Sequence, residues 1–161
     1  MELRNLIKRY YTKDLEYSTS TTVYDLFEWK EVDVKLVDYK TGKILCDMRN
    51  LEFPSSYSQN ACDIIASKYF RRAGVPNECG YEKSLKEVVH RLAEFWTASA
   101  LSEGLLDESN KDIFYDEVAY MMLSQSFAPN SPQWFNTGLK RSYGIHKEAE
   151  GHYYYDIAKN K

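Results

Sequence analysis

What this sequence has little of narrows its class before any motif is sought. Cysteine occurs three times in 161 residues, at Cys46, Cys62 and Cys79, with no CxxC pair and no histidine at zinc-ligand spacing. That argues against a disulfide framework or a structural zinc site and fits three reduced thiols in a cytoplasmic protein. His90, His146 and His152 each lack a second histidine four residues away, so helical zinc-protease chemistry has no basis here. No stretch approaches the roughly 20 apolar residues of a membrane span. Residues 1–9 alternate charged with apolar side chains and contain nothing like the apolar core of a secretory signal. A basic excess is also missing: Lys and Arg number 21 against 24 Asp and Glu, a net charge of −3. Polymeric nucleic acid is therefore a poor partner, because its binding rests on clustered cations that neutralise phosphates. A single nucleotide remains compatible. GxGxxG, Gly-Lys-Ser/Thr phosphate loops and GxSxG elbows do not occur, which removes the common self-contained catalytic signatures.

What is present is a foldable chain. Hydrophobic residues make up 43% and charged residues 28%, the balance of a globular domain. Aromatics are abundant, with 14 Tyr, 7 Phe and 3 Trp, and they offer large contact areas suited to docking against a partner.

The period of the apolar residues divides the chain into four parts. Residues 1–22 read as a short amphipathic helix over 1–14 followed by a polar Ser/Thr connection. Residues 23–57 switch to period two: Val32, Val34 and Leu36 on one strand, Ile44, Cys46 and Met48 on the next, with Gly42 in the turn between them. This predicts an antiparallel β-hairpin that packs on the rest of the chain. Residues 58–128 return to helical spacing. A helix is expected over 59–72, a second of about 19 residues begins at the Ser84-Leu-Lys-Glu87 capping box, and a third starts near Asp107 or Ser109 and ends before Pro129. Residues 129–161 begin with Asn130-Ser-Pro-Gln-Trp-Phe-Asn-Thr-Gly138, dense in turn formers, and continue as an open tail in which no fold unit closes. The class is α+β, mainly helical with a small hairpin.

Few side chains invite a chemical role. In the 130–138 segment, a serine and several amides in a proline-fixed turn present donors and acceptors to a sugar or phosphate, although such residues also dominate ordinary turns. Lys68, Arg71 and Arg72 make a basic helix end, explained either by phosphate or, more simply, by the helix dipole. Asp107, Glu108, Asp112, Asp116 and Glu117 read as a solvated acidic face near a helix start.

Three strings taken together carry a resemblance: Leu51-Glu-Phe-Pro54, then Ser58-Gln-Asn-Ala61 leading into Ile65-Ala-Ser-Lys-Tyr-Phe-Arg71, then Asn130 to Gly138. In this order the chain resembles the N-terminal region of the adenosylcobalamin-dependent (class II) ribonucleotide reductases. The resemblance implies a domain that packs on a ten-stranded α/β barrel absent from this chain. It also implies an enzyme of the ribonucleoside-diphosphate reductase type, with the choice between diphosphate and triphosphate left open. Such an enzyme converts ribonucleotides to deoxyribonucleotides through a cobalamin-generated thiyl radical. Ser131 would then contact the ribonucleotide and Gln133 would lie near it. The family's redox and radical cysteines match none of Cys46, Cys62 and Cys79, so no catalytic residue is assigned. The implied partners are the remainder of the reductase or a C-terminal subunit, which would bind adenosylcobalamin, the ribonucleotide substrate and a thioredoxin-type reductant. On this reading the 161 residues alone are inactive. The alternative is a noncatalytic protein-binding module that docks through its aromatic surface.

Overall fold

The computed structural model describes residues 7–16 and 20–146. The start of the helix expected over 1–14, Ser18 of the polar connection and the tail beyond His146, with His152, lie outside the described residues.

The hairpin forms from β1 (Trp29–Val37) and β2 (Ile44–Pro54), paired antiparallel. Its turn is tied by Asp38, whose carboxylate accepts the backbone N–H of Lys40 and Thr41 at 2.8 and 2.9 Å. Period two survives only part of the way. Val32 faces Leu51 while Val34 faces Met48, so β2 carries one extra residue, with Arg49 and Asn50 opposite Asp33. Asn50, at φ 52°, absorbs the bulge, and the Asp33 carboxylate accepts both the Asn50 N–H at 2.9 Å and an Arg49 guanidinium N–H at 3.0 Å. The bulge changes the phase of β2, so that Cys46 and Met48 on one side of it and Leu51 and Phe53 on the other all reach the core. Strict alternation would have sent the second pair to the opposite face. Ile44, expected to face inward, is 54% exposed at the open end of the hairpin.

The buried face of the hairpin is covered by α1 (Gln59–Lys68) and α2 (Leu85–Ser102). Ser58 caps α1 by accepting the Ala61 N–H at 3.2 Å. The helix stops at Lys68, short of the expected 72, because the Arg71 N–H leaves the helical ladder for the Glu82 carboxylate at 2.6 Å. Phe53, fully buried, stacks on Phe70 with centroids 5.3 Å apart. Burying side chains of this size stabilises the fold by about 1.5–3 kcal/mol each. The capping box at Ser84 and Glu87 forms as expected and starts α2. The free edge of β2 is closed by the residues just before α2: the Glu52 N–H donates to the Lys83 carbonyl at 2.8 Å, and the Ser84 hydroxyl donates to the Glu52 carboxylate at 2.6 Å.

Helix α3 (Lys111–Leu123) packs on α2, with Asn110 at its N-cap instead of Asp107 or Ser109. Asn110 turns its side-chain oxygen to the Asp107 N–H at 2.9 Å, which shapes the preceding loop. Two expectations on this face are corrected. Phe95, assigned to the buried stripe of α2, is 40% exposed. Glu117, assigned to a solvated acidic face, is buried. For Glu117 the reason lies in the N-terminal segment, which among the described residues is not helical over 7–12 and forms a 3-10 turn at Lys13–Leu15. It runs as a strap across α3, and the Glu117 carboxylate accepts the N–H groups of Tyr10, Tyr11 and Thr12 at 2.8–3.1 Å and the Thr12 hydroxyl at 2.6 Å. Arg9 pairs with neighbouring Asp116 at 2.6 Å. Among the described residues no helix is long and apolar enough to cross a membrane.

Candidate functional site

The segment from Asn130 is not an irregular turn. Pro132 lies in the first turn of a short helix, α4 (Ser131–Asn136), where its missing N–H costs nothing. Gly138 then leads into a further short helix, α5 (Leu139–Tyr143), which the periodicity did not announce. A helix of six residues cannot hold itself together. The force that fixes it comes from α2.

Arg91 is the largest of the fully buried side chains among the described residues. Its guanidinium donates to the Trp134 carbonyl at 2.7 Å, the Thr137 carbonyl at 2.8 Å and the Tyr69 carbonyl at 3.3 Å, and its Nε donates to the Glu82 carboxylate at 2.7 Å. Glu82, equally buried, also accepts the Arg71 N–H and, at 2.8 Å, the Tyr143 hydroxyl. One ion pair therefore ties the end of α1, the C-terminal end of α4 and the end of α5 to the middle of α2. Burial, with the charge of Glu82 adding to it, pushes the Tyr143 phenol above its ordinary range and keeps it a donor. Every buried side-chain nitrogen or oxygen among the described residues has a partner, so this polar core is satisfied. Gly138 completes the joint, because its backbone, at φ 80°, packs directly on the Arg91 carbonyl.

On the outer side of α4 an aromatic ladder forms. Tyr69 stacks on Trp134 at 5.4 Å and leans on Phe135 at 5.6 Å. The Tyr69 hydroxyl lies 3.4 Å from the hydroxyl of Ser131. Ser131 is exposed at the start of α4. Gln133 is exposed too, with its side-chain oxygen accepting the Thr137 hydroxyl at 2.7 Å, which leaves the amide nitrogen for an external acceptor. Beside the ladder lies an open cleft of about 300 Å³, lined by Lys68, Tyr69, Arg71, Arg72 and Phe135 among others.

Sequence reasoning singled out Ser131 and Gln133, which the structure places on the surface, but missed Arg91, Glu82, Tyr69 and Gly138. A signal for Arg91 existed. It stands three residues after Val88 and next to Leu92, on the apolar stripe, where an unpaired charge would be prohibitive. The cysteines are free: Cys46 and Cys62 are buried, Cys79 is exposed. Burial raises the Cys62 thiol above its ordinary value, the condition of an inert structural thiol.

Fold and site together define a helical domain with a bulged hairpin that holds a short serine-bearing helix at its surface. The family model for class II vitamin B12-dependent ribonucleotide reductase matches residues 31–125, more than half of the chain, and the protein belongs to that family. The match spans the hairpin and α1 to α3 and stops before α4. Proteins described as vitamin B12-dependent ribonucleotide reductases are similar to it: that of Bradyrhizobium diazoefficiens is 37% identical, that of Agrobacterium fabrum 35% and that of Streptomyces coelicolor 37%. In each case 71% of this chain is covered, and it spans about 12% of the length of these curated relatives.

Among the described residues no group of three or more His, Cys, Asp or Glu side chains is placed to hold a metal ion, and His90 has its Nδ1 engaged with the Tyr115 hydroxyl at 2.7 Å. No cobalt chemistry is assigned to them.

Proposed function

We propose that this chain acts as the N-terminal part of a class II ribonucleotide reductase, supplying scaffold and one lip of the substrate mouth. The rest of the enzyme holds adenosylcobalamin and the cysteines of the thiyl-radical reduction, and a thioredoxin-type protein restores the thiols. Ser131 contacts the ribonucleotide through its hydroxyl, and Gln133 reaches it through its amide nitrogen. Family membership supplies the reaction class. The observation that carries the local reading is the attachment of α4 to buried Arg91: a surface serine on a six-residue helix is held by a fully satisfied polar core, the kind of second layer that orients a binding group. The chain alone performs no turnover, since radical chemistry needs a cavity closed to water, and the clefts found among the described residues are open.

The test combines the full chain with a polypeptide carrying the remaining length of its relatives, adenosylcobalamin, a dithiol and a ribonucleotide, and measures deoxyribonucleotide. Product is expected only from the combination, and Ser131→Ala in the combined enzyme is expected to raise KM about tenfold, the loss of one hydrogen bond of about 1–1.5 kcal/mol. Turnover by the isolated chain overturns the assignment of the chemistry to the remainder. Unchanged kinetics of Ser131→Ala overturn its contact with substrate.

A further inference from the structure

Helix α2 changes character half way along. Residues 85–94 include Lys86, Glu87, His90, Arg91 and Glu94, and bury Val88, Val89, Leu92 and Ala93 completely. Residues 95–102, Phe-Trp-Thr-Ala-Ser-Ala-Leu-Ser, carry no charge, and none of them is buried: Phe95 and Ser102 are exposed and those between are half-buried. Thr97 donates its hydroxyl to the Ala93 carbonyl at 2.7 Å and Ser102 to the Ser99 carbonyl at 2.8 Å, so the helix itself takes up both groups. A helix side that faces solvent ordinarily carries charged residues. This one is built as if it were covered.

The surroundings extend the patch. Phe127, just past α3, is exposed and leans on Trp96 with ring centroids 6.4 Å apart, and Leu105, just past α2, is 58% exposed. Phe95 also shares an open cleft of about 280 Å³ with Asn136, Thr137, Gly138, Lys140 and Arg141, where the Arg141 guanidinium is engaged by Glu94. Aromatic rings with few charges among them have the composition of an interface centre. The hairpin tip exposes apolar residues too, Val37, Tyr39, Ile44 and Leu45. There, however, Asp38, Lys40, Lys43 and Asp47 are interleaved with them, the mixture of an ordinary solvated surface.

We propose that the C-terminal half of α2, with Phe127 beside Trp96, is the surface on which the remaining length of the enzyme docks, through an uncharged apolar face of its own. The chain spans about 12% of the length of its relatives, so a partner large enough to cover the patch belongs to the same enzyme. The Phe95 cleft joins the patch to the corner that carries α4, and Ser131 on that helix faces the remainder on the reading given above. Docking surface and lip then lie on one continuous side of the domain, which favours the remainder over a second copy of this chain. The inference rests on the reading of the chain as the N-terminal part of a reductase, and adds the surface that such a part requires.

Sedimentation velocity tests it on the full chain, alone and mixed with the polypeptide that carries the remaining length of its relatives. The chain alone is expected to sediment as a monomer and the mixture as a complex. Phe95→Lys and Ser99→Lys, one turn apart on the helix, are each expected to weaken the complex at least tenfold, because docking would bury an unpaired charge. Leu45→Lys at the hairpin tip is the control, with a change of less than twofold. Lysine suits a helix surface, and an unchanged circular dichroism spectrum and urea midpoint check that the variants fold. Hydrogen exchange on the wild-type mixture is a second readout that needs no variant: residues 95–102 are expected to gain protection in the complex. A complex that both lysine variants form as tightly as the wild type, or one that leaves 95–102 unprotected, overturns the docking surface and spares the N-terminal reading. Absence of any complex overturns both. Self-association of the chain that Phe95→Lys abolishes assigns the face to a second copy and overturns the proposal.

Discussion

The main-chain oxygen of Arg91 occupies the place that a side chain on residue 138 would need: a β-carbon added to Gly138 would stand 2.0 Å from it. Helix α2 and the α4–α5 corner therefore touch backbone to backbone, and the same residue that supplies this oxygen sends its guanidinium around to the carbonyls of Trp134 and Thr137.

Gly138→Ala should detach that corner. The left-handed φ costs roughly 1–2 kcal/mol for an L-residue, and the forced contact adds about 1–3 kcal/mol of overpacking. Gly42→Ala is the matched control, since its φ of 69° is similar and nothing lies within 4 Å of the added carbon. Urea unfolding of both variants should show Gly138→Ala the less stable by the overpacking difference, with the fluorescence of Trp134 altered before global unfolding. Equal losses would mean that the corner yields freely.

Arg91→Met removes the positive partner from a pair in which both side chains are about 1% exposed or less. The Glu82 carboxylate is left with the Arg71 N–H and the Tyr143 hydroxyl, and three carbonyls lose their donor. Breaking such a pair destabilises by about 3–5 kcal/mol. Adding Glu82→Gln should recover part of this loss by removing the stranded charge. A double-mutant cycle in urea measures the coupling, and additivity of the two changes would refute the joint.

The strap gives a pH dependence with a definite sign. Burial alone would raise the Glu117 carboxyl, but the hydrogen bonds from the Thr12 side chain and the Tyr11, Thr12 and Tyr10 backbone outweigh it and hold the group below its ordinary value. Its contribution is therefore present above the unfolded carboxyl value of about 4.3 and is lost as pH falls through the lower folded value. Asp116 acts oppositely. Burial raises its carboxyl despite Arg9, so its ionisation opposes folding and protonation relieves that cost. In an Asp116→Asn background, stability should fall on acidification below pH ~4.3, and Glu117→Gln should flatten that fall while raising hydrogen exchange at residues 10–12. Persistence of the full acid dependence in Glu117→Gln would remove Glu117 as its source.

What could be read from the residues was whatever depends on local spacing. The hairpin, the capped start of α2 and the order of the three long helices follow from periods of two and 3.6 and from caps at Ser58 and Ser84, because these forces act between near neighbours in the chain. The features that escaped involve partners far apart in sequence. Nothing around Glu117 announces that the amides of residues 10–12 will cover it, and nothing near Asp33 states that it will pin a bulge at Asn50. Arg91 meets carbonyls more than 40 residues away. The proline in the 130–138 segment was taken as a turn former, whereas it opens a helix that exists because α2 supplies its anchor. Ser131 and Gln133 stood out through the resemblance carried by the 130–138 string, and their exposure came from the structure.

Helix α4 hangs by its carbonyl groups from a side chain that belongs to another helix, so its coordinates are borrowed. A shift of α2 against the hairpin, from a cavity at Leu92 or Val89 for example, is transmitted to the Ser131 hydroxyl as a displacement of similar size, with no damage to the serine or its immediate neighbours. Wear in the hidden interior of this domain would register first at its lip.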